Sequence, residues 1–227
     1  MNKNKQNVLT ANRWIVEKGL IELTWGNVSF YDSLENSVYI KPSGIDLFRA
    51  SIDDISCINM GGETKSGLKP SVDAPTHIKI YKNFNGVLSV VHTHSKYATI
   101  FAQAGRPIPC LGTTHADYFY GTVPCVPHPN SSQTKEDYEA HTGQIICDYF
   151  HSNKINPLQV QACLVKGHAP FAWGKDIKSA LENAYVLEIV AEFAYKTIRI
   201  NSDARLSNMI LDKHFLRKHG GSRYYGQ

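Results

Sequence analysis

Two histidines one residue apart, His92 and His94, stand at the exit of the apolar run over 87–91. A β-strand repeats every two residues, so both imidazoles lie on one face and converge. A third histidine, His168, follows a glycine at the end of another apolar run, ACLV over 162–165. Three imidazoles with one open position are the donor set of a catalytic zinc, with nitrogen ligands at about 2.0–2.1 Å. Asp73, in KPSVDAPTH, is the candidate for a fourth ligand or for a group acting on whatever the metal holds. An isolated H-x-H means little in a chain with ten histidines; the assembly of two strand ends and an acidic turn carries the reading. No cysteine joins these residues at ligand spacing, which argues against a structural zinc ribbon or finger.

Three further segments, TWGNVS (24–29), KPSGID (41–46) and KPSVD (69–73), are rich in Gly, Ser, Asn and Pro. Each alone reads as an ordinary turn. Together, their backbone N–H groups, serine hydroxyls and Lys41 can build a concave nest for a phosphate.

The elements that must hold these groups follow from patterning. Val8, Ala11 and Ile15 mark a helix over 4–18, closed by Gly19. Short strands separated by turn residues follow, with Gly61-Gly62 as a two-residue hairpin connection. A helix is predicted over 75–84, buried strands over 87–91 and 162–165, a long helix capped by Asp176, and a last helix over 203–218. Early strands flanked by helices predict an α/β (α+β) fold, a three-layer α/β/α arrangement around a mostly antiparallel sheet, in one domain over 1–227.

The 227 residues carry 24 Lys+Arg against 20 Asp+Glu, a net charge of +4 that is spread along the chain. The 42% of hydrophobic residues against 19% charged excludes global disorder, and the diffuse charge gives no support to nucleic-acid or membrane-surface binding; a bound anion should be small. No run approaches the roughly 18–20 apolar residues of a membrane span, and the N-terminus lacks the apolar stretch of a secretory signal. Five cysteines without a CxxC read as reduced thiols, so a cytoplasmic protein is expected.

Over nearly its full length the sequence resembles the L-ribulose-5-phosphate 4-epimerases of the class II aldolase and epimerase superfamily. The resemblance rests on LTWGNVS, IKPSGID, KPSVDAPTH, VVHTHSKYATIFAQAG, GTTHADYFYGTVPC, KGHAPFAWGK and LDKHFLRKHG followed by YYGQ, in that order. It implies one Zn2+ per subunit held by His92, His94 and His168 with Asp73 alongside. It implies sugar-phosphate binding by Gly26, Asn27, Ser43, Gly44 and Ser71, with Lys41 at the same end. At position 72, where the family commonly has a second serine, this chain has Val72, which removes a hydroxyl and keeps the backbone N–H. Asp117 and Tyr225 match the family's proton donor and acceptor, which reach a site completed by the neighbouring subunit of a C4 homotetramer. Thr113, Glu139 and His214 match residues around that site.

The implied reaction is epimerisation of L-ribulose 5-phosphate to D-xylulose 5-phosphate by retro-aldol cleavage and re-addition. Two alternatives share the fold: a class II sugar-phosphate aldolase that releases its aldehyde, and a non-enzymatic module like the adducin head. Such aldolases typically carry Glu at position 73, whereas Asp73 and the Tyr225 tail are epimerase-like. The intact histidines and Asp117 weigh against the adducin-like alternative.

Overall fold

A computed structural model describes residues 2–221, 223 and 224. Helix α1 (Lys3–Glu17) is capped by Asn2, whose side chain accepts from the Lys5 amide at 3.1 Å, and buries Val8, Leu9, Ala11 and Ile15. A four-stranded meander follows: β1 (Gly26–Asp32), β2 (Ser37–Ile40), β3 (Ser56–Asn59) and β4 (Thr64–Ser66). The β3–β4 connection is longer than the two residues expected. Asn59 pairs with Glu63 through N–H···O=C at 2.9 Å, leaving a three-residue loop in which Gly62 has φ 91°. Asn59 Oδ1 accepts from the amides of Gly61 and Glu63 and so stabilises that longer loop.

Helix α2 (Ala74–Asn83) leads to β5 (Ser89–Thr93), which lies antiparallel beside β1. Then come α3 (Lys96–Gln103), the short α4 (Thr113–Ala116), β6 (Cys125–Val126) and α5 (Ser131–Ser152). The hairpin β7 (Ala162–Val165) and β8 (Pro170–Gly174) precedes α6 (Ile177–Ile200) and α7 (Asn208–His219). Asp176 caps α6 as expected, in a reciprocal capping box with Ser179. The last helix starts five residues later than expected, because Ser207 accepts from the Ile210 amide and sets the N-terminus there.

The eight strands run in the order β4-β3-β2-β1-β5-β8-β7-β6. All neighbours are antiparallel except β6 and β7. Alternation along each central strand feeds two cores. Val28, Tyr39, Val91, Leu164 and Ala172 face α1, α3 and α6, whereas Val38, Ile40, Val90, Cys163, Phe171 and Trp173 face α2 and α5. This is the predicted three-layer arrangement. Because both faces are covered, a strand such as ACLV reads as a continuous apolar run. Trp173 is fully buried between Phe84 and Phe150, at ring distances of 5.2 and 5.3 Å, and donates its indole N–H to Pro157 O at 2.7 Å. Truncating such a side chain costs about 3–5 kcal/mol.

No helix among the described residues is long and apolar enough to cross a membrane. All five cysteines are free.

Candidate active site

His92 sits within the sheet, opposite Asn27 on β1 and Phe171 on β8. Its ring stacks on Phe171 at 4.2 Å, and Nδ1 lies 3.0 Å from Pro170 O. A carbonyl only accepts, so Nδ1 carries a proton and Nε2 is the nitrogen left to face a metal. His94 follows the end of β5, just before Ser95 begins α3. His168 follows the end of the buried strand β7, as the sequence suggested. It sits in the tight β7–β8 turn, where Gly167 takes φ 69° and the Val165 amide bonds Ala169 O at 3.0 Å.

The turn brings His168 against the other two histidines. Ring centroids are 5.0 Å apart for His92–His94, 4.9 Å for His92–His168 and 5.2 Å for His94–His168. One nitrogen from each lies within 4.8 Å of the others. Burial, reinforced by repulsion from His92, pushes His94 down to about 4 and His168 to about 3, with Asp73 pulling the other way. Both rings are therefore neutral near pH 7 with lone pairs available. Three gathered imidazoles fit a divalent cation of the zinc class.

Asp73 lies beside this group rather than among the mutually close ligand atoms. Its Oδ2 accepts from Asn27 Nδ2 at 2.7 Å and from Ser71 Oγ at 3.4 Å. Burial raises its pKa, but His92, His77, the Asn27 amide and His168 together outweigh that and hold the carboxyl below its ordinary range. His77 is wholly buried on α2, with Nδ1 2.7 Å from Ser29 Oγ; burial drives it down to about 3 despite Asp73.

The first and third turns meet at Asn27. Its Nδ2 is shared between Asp73 and Ser71 Oγ, the latter at 3.0 Å. Segments 41–43 and 69–71 form a small antiparallel ribbon: Ser71 N donates to Lys41 O and Ser43 N to Lys69 O, both at 3.0 Å, around a Pro42–Pro70 bridge. Lys41 is buried and donates Nζ to Thr24 O at 3.1 Å; burial lowers its pKa while Asp73 opposes the shift. Ser43, Gly44 and Val72 are exposed on the ribbon. Gly26 must be glycine: at φ 104° a Cβ would lie 2.6 Å from His92 O. The first turn is thus pressed directly onto the histidine strand.

A second cluster forms between α4 and α7. Arg217 Nη2 and Nε donate to the two Asp117 carboxylate oxygens at 2.9 and 3.2 Å. His214 Nδ1 lies 3.2 Å from Oδ1, and His219 Nε2 donates to the Asp117 carbonyl at 2.8 Å. The expected Asp117–His214 neighbourhood is present. Arg217 and His219 went unread in the sequence, although 214 and 217 share a helix face at i, i+3 spacing. Thr113 is exposed at the start of α4, its carbonyl accepting from the Asp117 amide at 2.9 Å. Glu139 meets α2 through its carbonyl, which accepts from Thr76 Oγ1 at 2.6 Å. Tyr225 lies outside the described residues. Among the described residues, no hydrogen bond, ion pair or ring contact joins the Asp117 cluster to the three histidines.

Residues 6–195 match the family described as Class II Aldolase and Adducin N-terminal domain. Over its whole length the chain is 42% identical to the L-ribulose-5-phosphate 4-epimerases UlaF of Salmonella paratyphi C (strain RKS4594) and Salmonella choleraesuis (strain SC-B67), covering 100% of each. The fold is shared with an L-fuculose 1-phosphate aldolase, at TM-score 0.79 and 20% identity over 94% of this chain and 95% of that one. It is also shared with YgbL of Escherichia coli, a putative aldolase/epimerase/decarboxylase by its own description, at TM-score 0.74 and 21% identity over 92% and 96%. The chain belongs to the class II aldolase and adducin N-terminal domain family.

Proposed function

We propose that the protein is a zinc-dependent L-ribulose-5-phosphate 4-epimerase, acting in the cytoplasm as a homotetramer. The observation that carries this reading is the junction at Asn27, which ties a three-histidine cation site to a phosphate-type ribbon within one hydrogen-bonded unit. Full-length likeness to the UlaF epimerases supports the substrate.

C4 of the substrate is β to the C2 carbonyl, so its C–H proton is not acidified by enolisation, and inversion there needs carbon–carbon cleavage. The O4 proton passes to a base, C4 becomes an aldehyde, and the C3–C4 electron pair moves onto the three-carbon fragment as an enediolate. Re-addition to the opposite aldehyde face reforms the bond, and O4 regains a proton from the other side. A cation held by the three imidazoles supplies Lewis-acid stabilisation of the developing negative charge.

The chain's own groups divide the rest. Gly26, Asn27, Ser43, Gly44 and Ser71, with the Val72 amide and Lys41 nearby, tether the phosphate, so the aldehyde stays close and recombination remains intramolecular. Asp73 orients Asn27 and balances the positive site. Asp117 and Tyr225 serve as the two proton carriers, one for each aldehyde face. Among the described residues no hydrogen bond joins Asp117 to the three histidines, which is compatible with a site completed by a neighbouring subunit. His214 holds Asp117 in place, with Thr113 and Glu139 around the same site.

The test is incubation of zinc-loaded protein with L-ribulose 5-phosphate, following D-xylulose 5-phosphate and free glycolaldehyde phosphate together. Xylulose 5-phosphate without free aldehyde is expected. Accumulating aldehyde would make the protein an aldolase, and neither product with zinc bound would refute the substrate.

A further inference from the structure

Trp25 is a large apolar residue that belongs to neither core and is 53% exposed, yet its backbone is anchored on both sides by groups of the site. On one side, Lys41 Nζ holds the carbonyl of Thr24. On the other, Gly26 is pressed against the backbone of His92 and Thr93. Trp25 N closes a turn onto Glu22 O at 3.1 Å, and within that turn Leu23 takes φ 50°, a left-handed conformation disfavoured for a bulky residue. The strained turn presents the indole 6.3 Å from the His94 ring, tilted by 50°. The indole stands where the phosphate ribbon and the three-histidine site meet.

From this placement we infer that Trp25 is a specificity-determining wall of the site that retains the cleaved aldehyde phosphate. The inference rests on the epimerase reading above. With the phosphate held at Gly26 and Asn27 and the three-carbon fragment toward the histidine site, C4 would fall between them, beside the indole. The face of an indole offers no hydrogen-bond partner to the C4 carbonyl. It covers the aldehyde against water without fixing the orientation of its oxygen, so the carbonyl can turn over and be re-attacked on its other face. Removing the wall opens an exit for the aldehyde at the moment it is free.

The experiment compares wild type with Trp25→Ala and Trp25→Phe, each loaded with zinc and its zinc content measured. Aldehyde lost to solution is trapped with phenylhydrazine while D-xylulose 5-phosphate is followed. Binding of added glycolaldehyde phosphate and of inorganic phosphate is measured by titration calorimetry. In Trp25→Ala the ratio of trapped aldehyde to xylulose 5-phosphate should rise about tenfold or more, and affinity for glycolaldehyde phosphate should fall about tenfold, with inorganic phosphate binding and zinc content unchanged. Trp25→Phe, which keeps a flat apolar wall, should stay within about threefold of wild type. A wild type that epimerises, with both ratio and aldehyde affinity unmoved in Trp25→Ala, overturns the role of Trp25 alone. Should Trp25→Ala fail to fold, Trp25→Leu is judged by the same ratio and affinity. A wild type that forms no xylulose 5-phosphate overturns this role together with the reading beneath it.

Discussion

The Asn27 side-chain amide donates to the Asp73 carboxylate at 2.7 Å, joining β1 to the residue that precedes α2 across 46 positions of sequence. The same amide reaches Ser71 Oγ, so one side chain fixes the 69–71 segment against β1, the neighbour of the histidine strand β5. Asn27→Leu keeps the branched heavy-atom shape and removes both donors. A hydrogen bond to a charged group contributes about 1.5–3 kcal/mol, so unfolding free energy should fall by about that amount in denaturant titrations. Turnover should fall by one to two orders of magnitude, and unaltered stability and turnover would show that the junction is dispensable.

His94→Ala removes one of three gathered nitrogens. Bound zinc, measured by elemental analysis after dialysis, should fall well below one per chain, and epimerisation should fall with it. Retention of full activity in a metal-free variant would refute the metal-dependent reaction.

Asp117 is gripped at both carboxylate oxygens by Arg217. Asp117→Asn should keep zinc and lower turnover by about 10²–10⁴, the usual contribution of a positioned proton carrier. Arg217→Lys replaces a planar fork with a point charge and should lower turnover about tenfold while leaving the zinc content unchanged. Turnover equal to wild type would remove Arg217 from any part in positioning Asp117.

His77 and His115 are buried, at about 3 and about 4, against 6.5 for an ordinary imidazole. Burial is the main cause in both, opposed by Asp73 for His77 and by the Gly121 carbonyl for His115. Between pH 6.5 and those values the unfolded chain takes up protons that the folded chain refuses. Stability is therefore fully present above about pH 6.5 and is lost as pH falls below it, each histidine adding a slope of up to about 1.4 kcal/mol per pH unit. Guanidinium titrations of the metal-free protein at pH 8, 6 and 5 should show a flat upper limb and then a decline; a flat curve throughout would contradict the burial of these rings in the folded state.

The sequence exposed those parts of the fold that rest on local periodicity. His92 and His94 announce themselves because a strand's period is two, and Asp176 because a cap acts over three residues. The long α5 was illegible. Asp137 breaks its regularity at φ −154°, and only its second half buries an apolar face. There Gly143 allows close approach to α2, since a Cβ would lie 2.7 Å from Lys79 Cβ. The strand β8 was equally hidden, because it opens with a proline and is only five residues long. The Asn27–Asp73 and Asp117–Arg217 bonds join residues 46 and 100 apart, and no periodicity reports a contact at that range.

The three histidines come from two stretches of chain 74 residues apart, since 168 − 94 = 74. An ion bound there is a non-covalent staple as well as a Lewis acid. It closes a loop containing α3, α4, β6, α5 and β7, and so restricts the unfolded ensemble of the segment that carries Asp117. Chelation should then loosen the molecule unevenly. Amide hydrogen exchange should quicken most in the hairpin β7–β8 and in α3, with the β2–β3–β4 meander, outside the staple, nearly unaffected. Uniform acceleration would mean that the ion stabilises the whole sheet rather than fastening its two distant segments.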